Sequence, residues 1–205
     1  MVILATAGSA RAERQPEVEV ASGTAFPLGS GDYDEQFSDI VKLGVRGVLF
    51  APTTAEPWRL GVELAVDGMS LERKGWADLG TKRFRGLGGA RLEYRLTSHV
   101  RLFTRALAGI DYYRTAEFSF QPPGDPAALQ TVRATGWALA FELGAGAQVA
   151  LGPVVVGAQV GLPMAFYSLD GASSTSSFGG PYQFSSFIHE ATYDLDVLGT
   201  LGVTF

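Results

Sequence analysis

The feature that most constrains this chain is a strict alternation of side-chain character over its last thirteen residues, Tyr193 to Phe205. Tyr193, Leu195, Val197, Gly199, Leu201, Val203 and Phe205 form one set. Asp194, Asp196, Leu198, Thr200, Gly202 and Thr204 form the other. Successive side chains of a strand point to opposite faces, so a strand here has one apolar face and one mostly polar or small face. At about 3.3 Å per residue and a tilt near 40°, such a strand rises about 33 Å. That length crosses a bilayer and is long for a soluble strand.

The same alternation occurs eight times. It predicts strands over 17–26, 40–50, 58–69, 82–96, 100–113, 132–150, 154–166 and 193–205. The connections between them, 27–39, 51–57, 70–81, 97–99, 114–131, 151–153 and 168–186, run alternately long and short. An even-numbered barrel with both termini in the periplasm has this asymmetry, with short periplasmic turns and longer extracellular loops. The predicted fold is therefore all-β: an eight-stranded antiparallel up-and-down transmembrane β-barrel occupying residues 13–205. Residues 1–12, MVILATAGSARA, end on an Ala-x-Ala cleavage pattern after a short apolar run. They read as an export signal whose start lies upstream.

Period two does not say which face looks outward. A soluble, lipocalin-like ligand-binding barrel would put the apolar face inside and the charges outside. Three features favour lipid outside. Aromatic residues of the apolar face gather at strand ends, with Trp58, Tyr94 and Phe205 at the short-turn end and Phe84, Tyr112, Phe166 and Tyr193 at the other. Interfacial girdles have that placement. The middle of the apolar face carries almost no charge, and the polar face interleaves glycine and alanine with its charges, as a narrow lumen requires. Composition agrees: no run of 18 apolar residues offers a transmembrane helix. The net charge of −5 is too small to argue for nucleic acid.

The polar face holds Lys42, Arg46, Arg59, Arg85, Arg91, Arg95, Arg101 and Arg105 against Glu17, Glu19, Glu63, Asp67, Glu93, Asp111, Glu142, Asp194 and Asp196. An eight-stranded barrel is only wide enough to be filled by side chains. Charges inside it must pair, because a buried unpaired charge costs several kcal/mol. The expectation is an ion-pair network that plugs the lumen. A narrow transport route lined by the same residues is the alternative, with Phe103, Leu107 and Leu198 as apolar lining.

Signals for chemistry are sparse. The chain has no cysteine, which removes thiol catalysis and Cys-based metal sites. His99 falls in a three-residue turn and reads as solvated. His189 and Glu190, near Ser185 and Ser186, suggest an outer-leaflet lipid-modifying hydrolase as a third reading. That chemistry needs a nucleophile, a base and a group that orients the base. The run His189-Glu-Ala-Thr-Tyr193 lacks the second histidine of a zinc helix motif. Gly144-Ala-Gly146 lies inside a strand and reads as packing, and Asp32, Asp34 and Glu35 read as a solvated acidic loop rather than a calcium site. No cofactor, no metal and no enzymatic activity are expected. Arg73, Lys74, Lys82 and Arg83 flank a loop and read first as ordinary rim charges, with pairing to lipopolysaccharide phosphates as the alternative.

With strand pattern, loop asymmetry and the terminal Val203-Thr204-Phe205 together, residues 13–205 resemble small eight-stranded bacterial outer-membrane barrels. That group includes the transmembrane domain of outer-membrane protein A, the opacity-type proteins and the W-type barrels. The resemblance implies residence in the bacterial outer membrane, contact with its lipids and lipopolysaccharide, and partners for the outer loops. It also implies assembly through the barrel-assembly machinery, for which Tyr193, Val203 and Phe205 would form the signal. It matches no functional residues. The expected role is non-enzymatic: envelope structure, or surface interaction through the loops.

Overall fold

The computed structural model describes residues 16–28, 37–51, 57–73, 76–115, 118–120, 130–132, 135–167, 172–176, 183–184 and 191–205. Eight long strands carry the alternation: β1 (Pro16–Pro27), β2 (Phe37–Phe50), β3 (Trp58–Arg73), β4 (Trp76–Arg95), β5 (Val100–Thr115), β8 (Thr135–Leu151), β9 (Val154–Tyr167) and β12 (Ala191–Thr204). Each pairs antiparallel with its neighbours, and β12 closes on β1, giving a barrel in the order β1-β12-β9-β8-β5-β4-β3-β2. Four short strands, β6 (Phe118–Phe120), β7 (Gln130–Val132), β10 (Ala172–Ser176) and β11 (Gln183–Phe184), form a separate sheet in the order β11-β10-β7-β6.

Closure fixes the geometry. Carried once round the wall from Pro16 through Leu49, Val62, Ala90, Ala106, Leu143 and Leu162, the register returns to β1 at Phe26, ten residues further on. With eight strands, a rise of about 3.3 Å and a spacing of about 4.8 Å, that stagger sets a tilt of about 40°. Every barrel strand obeys the predicted alternation. Val41, Leu43, Val45, Leu64 and Val66 are among the outward, exposed side chains, whereas Lys42, Arg46, Glu63 and Asp67 are fully buried between them. The arrangement is the inverse of a soluble ligand-binding barrel.

The tight connections lie at one end, with both described chain ends. There the Phe205 amide donates to the Pro16 carbonyl at 3.0 Å. Gly152 has φ of 66° ahead of Pro153, a backbone that suits a two-residue type II′ hairpin between β8 and β9. In the β4–β5 turn, Thr97 Oγ1 accepts hydrogen bonds from the amides of His99 (3.2 Å) and Val100 (2.9 Å).

The opposite end corrects the predicted loops. The 70–81 loop is largely strand: Leu71 pairs with Thr81 and Arg73 with Trp76, so β3 and β4 run on beyond the alternating segment. The 114–131 and 168–186 connections contain the four short strands, and β10 pairs with β7, tying the two together. The strand predicted from 132 begins at Thr135, because Gln130–Val132 pairs with β6 and β10 instead. Most of the 27–39 loop and the whole 1–12 segment lie outside the described residues.

Candidate functional site in the barrel lumen

Because β-strands turn alternate residues inward, the lumen inherits the polar set of all eight strands at once. Among the described residues, eight cationic and nine anionic side chains are buried there, close enough in number for mutual neutralisation. They are stacked in tiers along the barrel.

Nearest the tight hairpins, Arg59 donates to Glu93 at 3.3 Å, and Arg101 donates to Glu17 at 3.1 Å. Arg91 donates to Glu19 and to Gln148 Oε1, and its guanidinium lies 3.8 Å above the Phe103 ring. Arg59 is likewise 3.7 Å over Phe50. In the middle tier Arg46 donates to Glu63 at 3.1 Å and reaches Asp67 and Glu142 at 3.5 and 3.4 Å. Arg105 donates to Glu142 and Gln159, and Lys42 sits among Asp67, Glu142 and Asp196. Towards the other end Arg83 and Arg85 share Asp111, at 2.6 and 2.9 Å, and Arg83 also reaches Asp194 at 3.2 Å.

Shared carboxylates link the two lower tiers into one network. Glu63 lies 3.8 Å from Arg91 and 3.9 Å from Arg105, and Glu17 joins Arg91 to Arg101. Apolar side chains fill the gaps: Ala65, Leu87, Leu107 and Ala140 form one buried cluster, and Ala25, Ile40 and Met69 another. Glycine makes room for the charges. A Cβ at Gly44 would overlap Asp67 Oδ1, and one at Gly144 would stand 2.8 Å from Arg105 Nε.

Sixteen of the seventeen charged residues expected on the lumen face are therefore in the buried set. Arg95, the exception, is half-buried at the hairpin-end rim. Arg83 corrects the sequence reading, because its side chain turns inward to Asp111 and Asp194 instead of standing at the rim or facing lipopolysaccharide. It shares the parity of Arg85 and Arg91, so the signal lay in the alternation. Gln148 and Gln159 join the network without having been singled out; they carry no charge, and only their parity marks them. Phe103, Leu107 and Leu198, expected as apolar lining of a transport route, are all buried on the lumen side. Phe103 packs under Arg91, so it belongs to the charged network as much as to any apolar path.

The outward aromatics form two belts. Trp58 and Tyr94 pack as a tilted pair with centroids 4.7 Å apart at the hairpin end, where Phe205 is also exposed. Phe84, Tyr112, Phe166 and Tyr193 lie at the other end with Trp137, whose ring is tilted against Tyr112 at 4.7 Å and which is an addition to the predicted set. Tyr94 and Phe84 are ten residues apart on β4, which at the tilt above separates the belts by roughly 25 Å. Val203 points outward, and Tyr193, Val203 and Phe205 share that face.

His99 Nδ1 lies 2.8 Å from the Ser98 hydroxyl in an exposed turn, and no described carboxylate orients the ring. His189, Glu190, Ser185, Ser186, Lys74 and the acidic 31–35 stretch fall outside the described residues, as does the Arg73 side chain. Among the described residues no group of three His, Asp or Glu is placed to hold a metal.

No family model matches the sequence, and no curated protein does. Solved structures match over nearly the whole chain. A major outer membrane protein from Thermus thermophilus aligns with TM-score 0.54 and 16% identity, covering 94% of this chain and 100% of that one. Neisserial surface protein A aligns with TM-score 0.50 and 12% identity, covering 94% and 97%. The chain thus has the fold of the small eight-stranded outer-membrane β-barrels.

Proposed function

We propose that this protein is a non-enzymatic integral barrel of the bacterial outer membrane, closed through its middle by the ion-pair network. In this reading its loop end faces outward for envelope or surface contacts, and its tight hairpins and termini lie in the periplasm. The observation that carries the reading is the inverted wall: apolar side chains outside and nearly all described charges inside. In water, the outward faces of all eight strands would form an exposed apolar patch far larger than soluble monomers tolerate. In a bilayer the same faces meet lipid, the closed wall pairs its backbone groups internally, and two aromatic belts stand at the interfaces. The roughly 25 Å belt spacing agrees with the usual apolar band of such barrels.

Contact with outer-membrane lipids and lipopolysaccharide, delivery by the barrel-assembly machinery, and export through residues 1–12 belong to this reading. The transport alternative draws on the buried apolar groups towards the loop end, Ile40 and Met69. The paired charges below them favour closure. The test is electrophoretic mobility of the membrane-inserted protein with and without boiling. A closed barrel stays folded in cold detergent and changes mobility on heating. Recovery in the aqueous fraction, with no shift, contradicts the proposal.

A further inference from the structure

One pair of charges is exposed on the outer wall among the described side chains. Among the described side chains, Lys82 and Arg114 are the only exposed Lys, Arg, Asp or Glu; Arg95 is half-buried and the others are buried. They are not scattered. Lys82 on β4 and Arg114 on β5 are direct partners in register, so their Cβ atoms stand about 5 Å apart on the same outward face. Ser70 flanks Lys82 on β3 and Thr135 flanks Arg114 on β8, both exposed, which makes a row of four hydrogen-bond donors. No described carboxylate pairs with either cation. Like charges placed directly opposite are destabilising unless something neutralises them.

The position of the pair says what that something is. The next outward residues down the same two strands are Phe84 and Tyr112, again direct partners, with Trp137 packed against Tyr112. Below them small residues predominate: Gly86, Gly88 and Ala90 on β4 face Ile110, Ala108 and Ala106 on β5, with Leu64 bordering Gly88. A Cβ at Gly86 would meet nothing within 4 Å. From the loop end towards the hairpin end, the surface offers cationic donors, then an aromatic belt, then a shallow apolar track.

We infer that Lys82 and Arg114 clamp the phosphate of a phosphorylated membrane lipid, one of whose acyl chains lies along the Gly86–Ala108 track. The inference rests on the membrane reading of the preceding section. Charge complementarity selects an anionic headgroup; Arg supplies a fork that matches phosphate and Lys a second point charge. The aromatic belt sets the depth at which the headgroup meets the wall.

The test uses the full chain refolded into phosphatidylcholine bilayers containing a few per cent of bisphosphorylated lipid A, then extracted gently for native mass spectrometry. The expected result is one retained lipid A on the wild type, with phosphatidylcholine washed away. Lys82→Gln/Arg114→Gln should lower retention at least about tenfold, and Gly86→Leu should lower it with both charges intact. Equal retention by the double variant overturns the inference. So does saturation of the wild-type pair by inorganic phosphate at millimolar concentration, which would make it a site for a soluble anion. Each sample is also run boiled and unboiled. A wild type that never shows the folded band defeats the membrane reading first, whereas a folded band with unchanged retention defeats the clamp alone.

Discussion

Replacing Arg91 with methionine should be the most damaging single change in the lumen. Arg91 is the cation paired with Glu19, is close to Glu17 and Glu63, donates to Gln148, and packs over Phe103. Methionine keeps the apolar stem against Phe103 and removes the guanidinium, with its charge and its hydrogen bonds to Glu19 and Gln148. Glu19, at 0% exposure, then loses the cation set against it. Breaking one side of a buried pair costs about 3–5 kcal/mol, because the remaining charge stays desolvated. The companion Glu19→Gln/Arg91→Met variant removes both charges. It should recover at least half of the loss, giving a coupling energy of about 2 kcal/mol or more. Urea unfolding of the protein in lipid vesicles, followed by tryptophan emission, measures all four corners of the cycle. An Arg91→Met variant within about 1 kcal/mol of wild type, with no coupling to Glu19, refutes the claim that these charges depend on one another, since solvated pairs are worth about that much.

Other consequences follow from single positions. Leu64→Arg, on the outward face midway between the belts, should cost about 2–4 kcal/mol in bilayers by the same unfolding assay; a neutral result would mean water on that face. Gly44→Val places a Cβ where Asp67 Oδ1 now sits, so it should destabilise by about 1–3 kcal/mol. The temperature of the mobility shift reads this change, and an unchanged midpoint would argue for slack in the lumen. Gly152→Ala should cost about 1 kcal/mol, because φ of 66° suits glycine, while Gly152→Asn should cost less. Equal stabilities for the two would show the hairpin adopting another turn.

The faces of the barrel are legible in the sequence because period two survives wherever one side meets an apolar medium and the other a packed lumen. Val41/Lys42 and Leu64/Glu63 are assigned correctly by parity alone. The same rule explains what the pattern does not reach. Alternation reports what covers each face, whereas pairing needs only backbone. The β3–β4 ladder therefore continues through Leu71 and Arg73, where hydrophobic patterning has already stopped. Nearness to a loop points Arg83 outward, but its parity with Arg85 decides; Gln148 and Gln159 lack the charge that draws attention to a lumen residue. No sequence signal places Lys82 beside Arg114, because partners across strands depend on register, and register depends on where each hairpin turns.

Conductance across a planar bilayer tests the closed lumen most directly. Reconstituted wild-type protein, present as the folded band, should leave the current at baseline under moderate voltage in physiological salt. In the proposed reading, the charges linked from Arg59 through Glu63 to Lys42 close the lumen to ions. Sustained, stepwise currents from the wild type would contradict the account, and the lumen would then be a pore lined by those same charges.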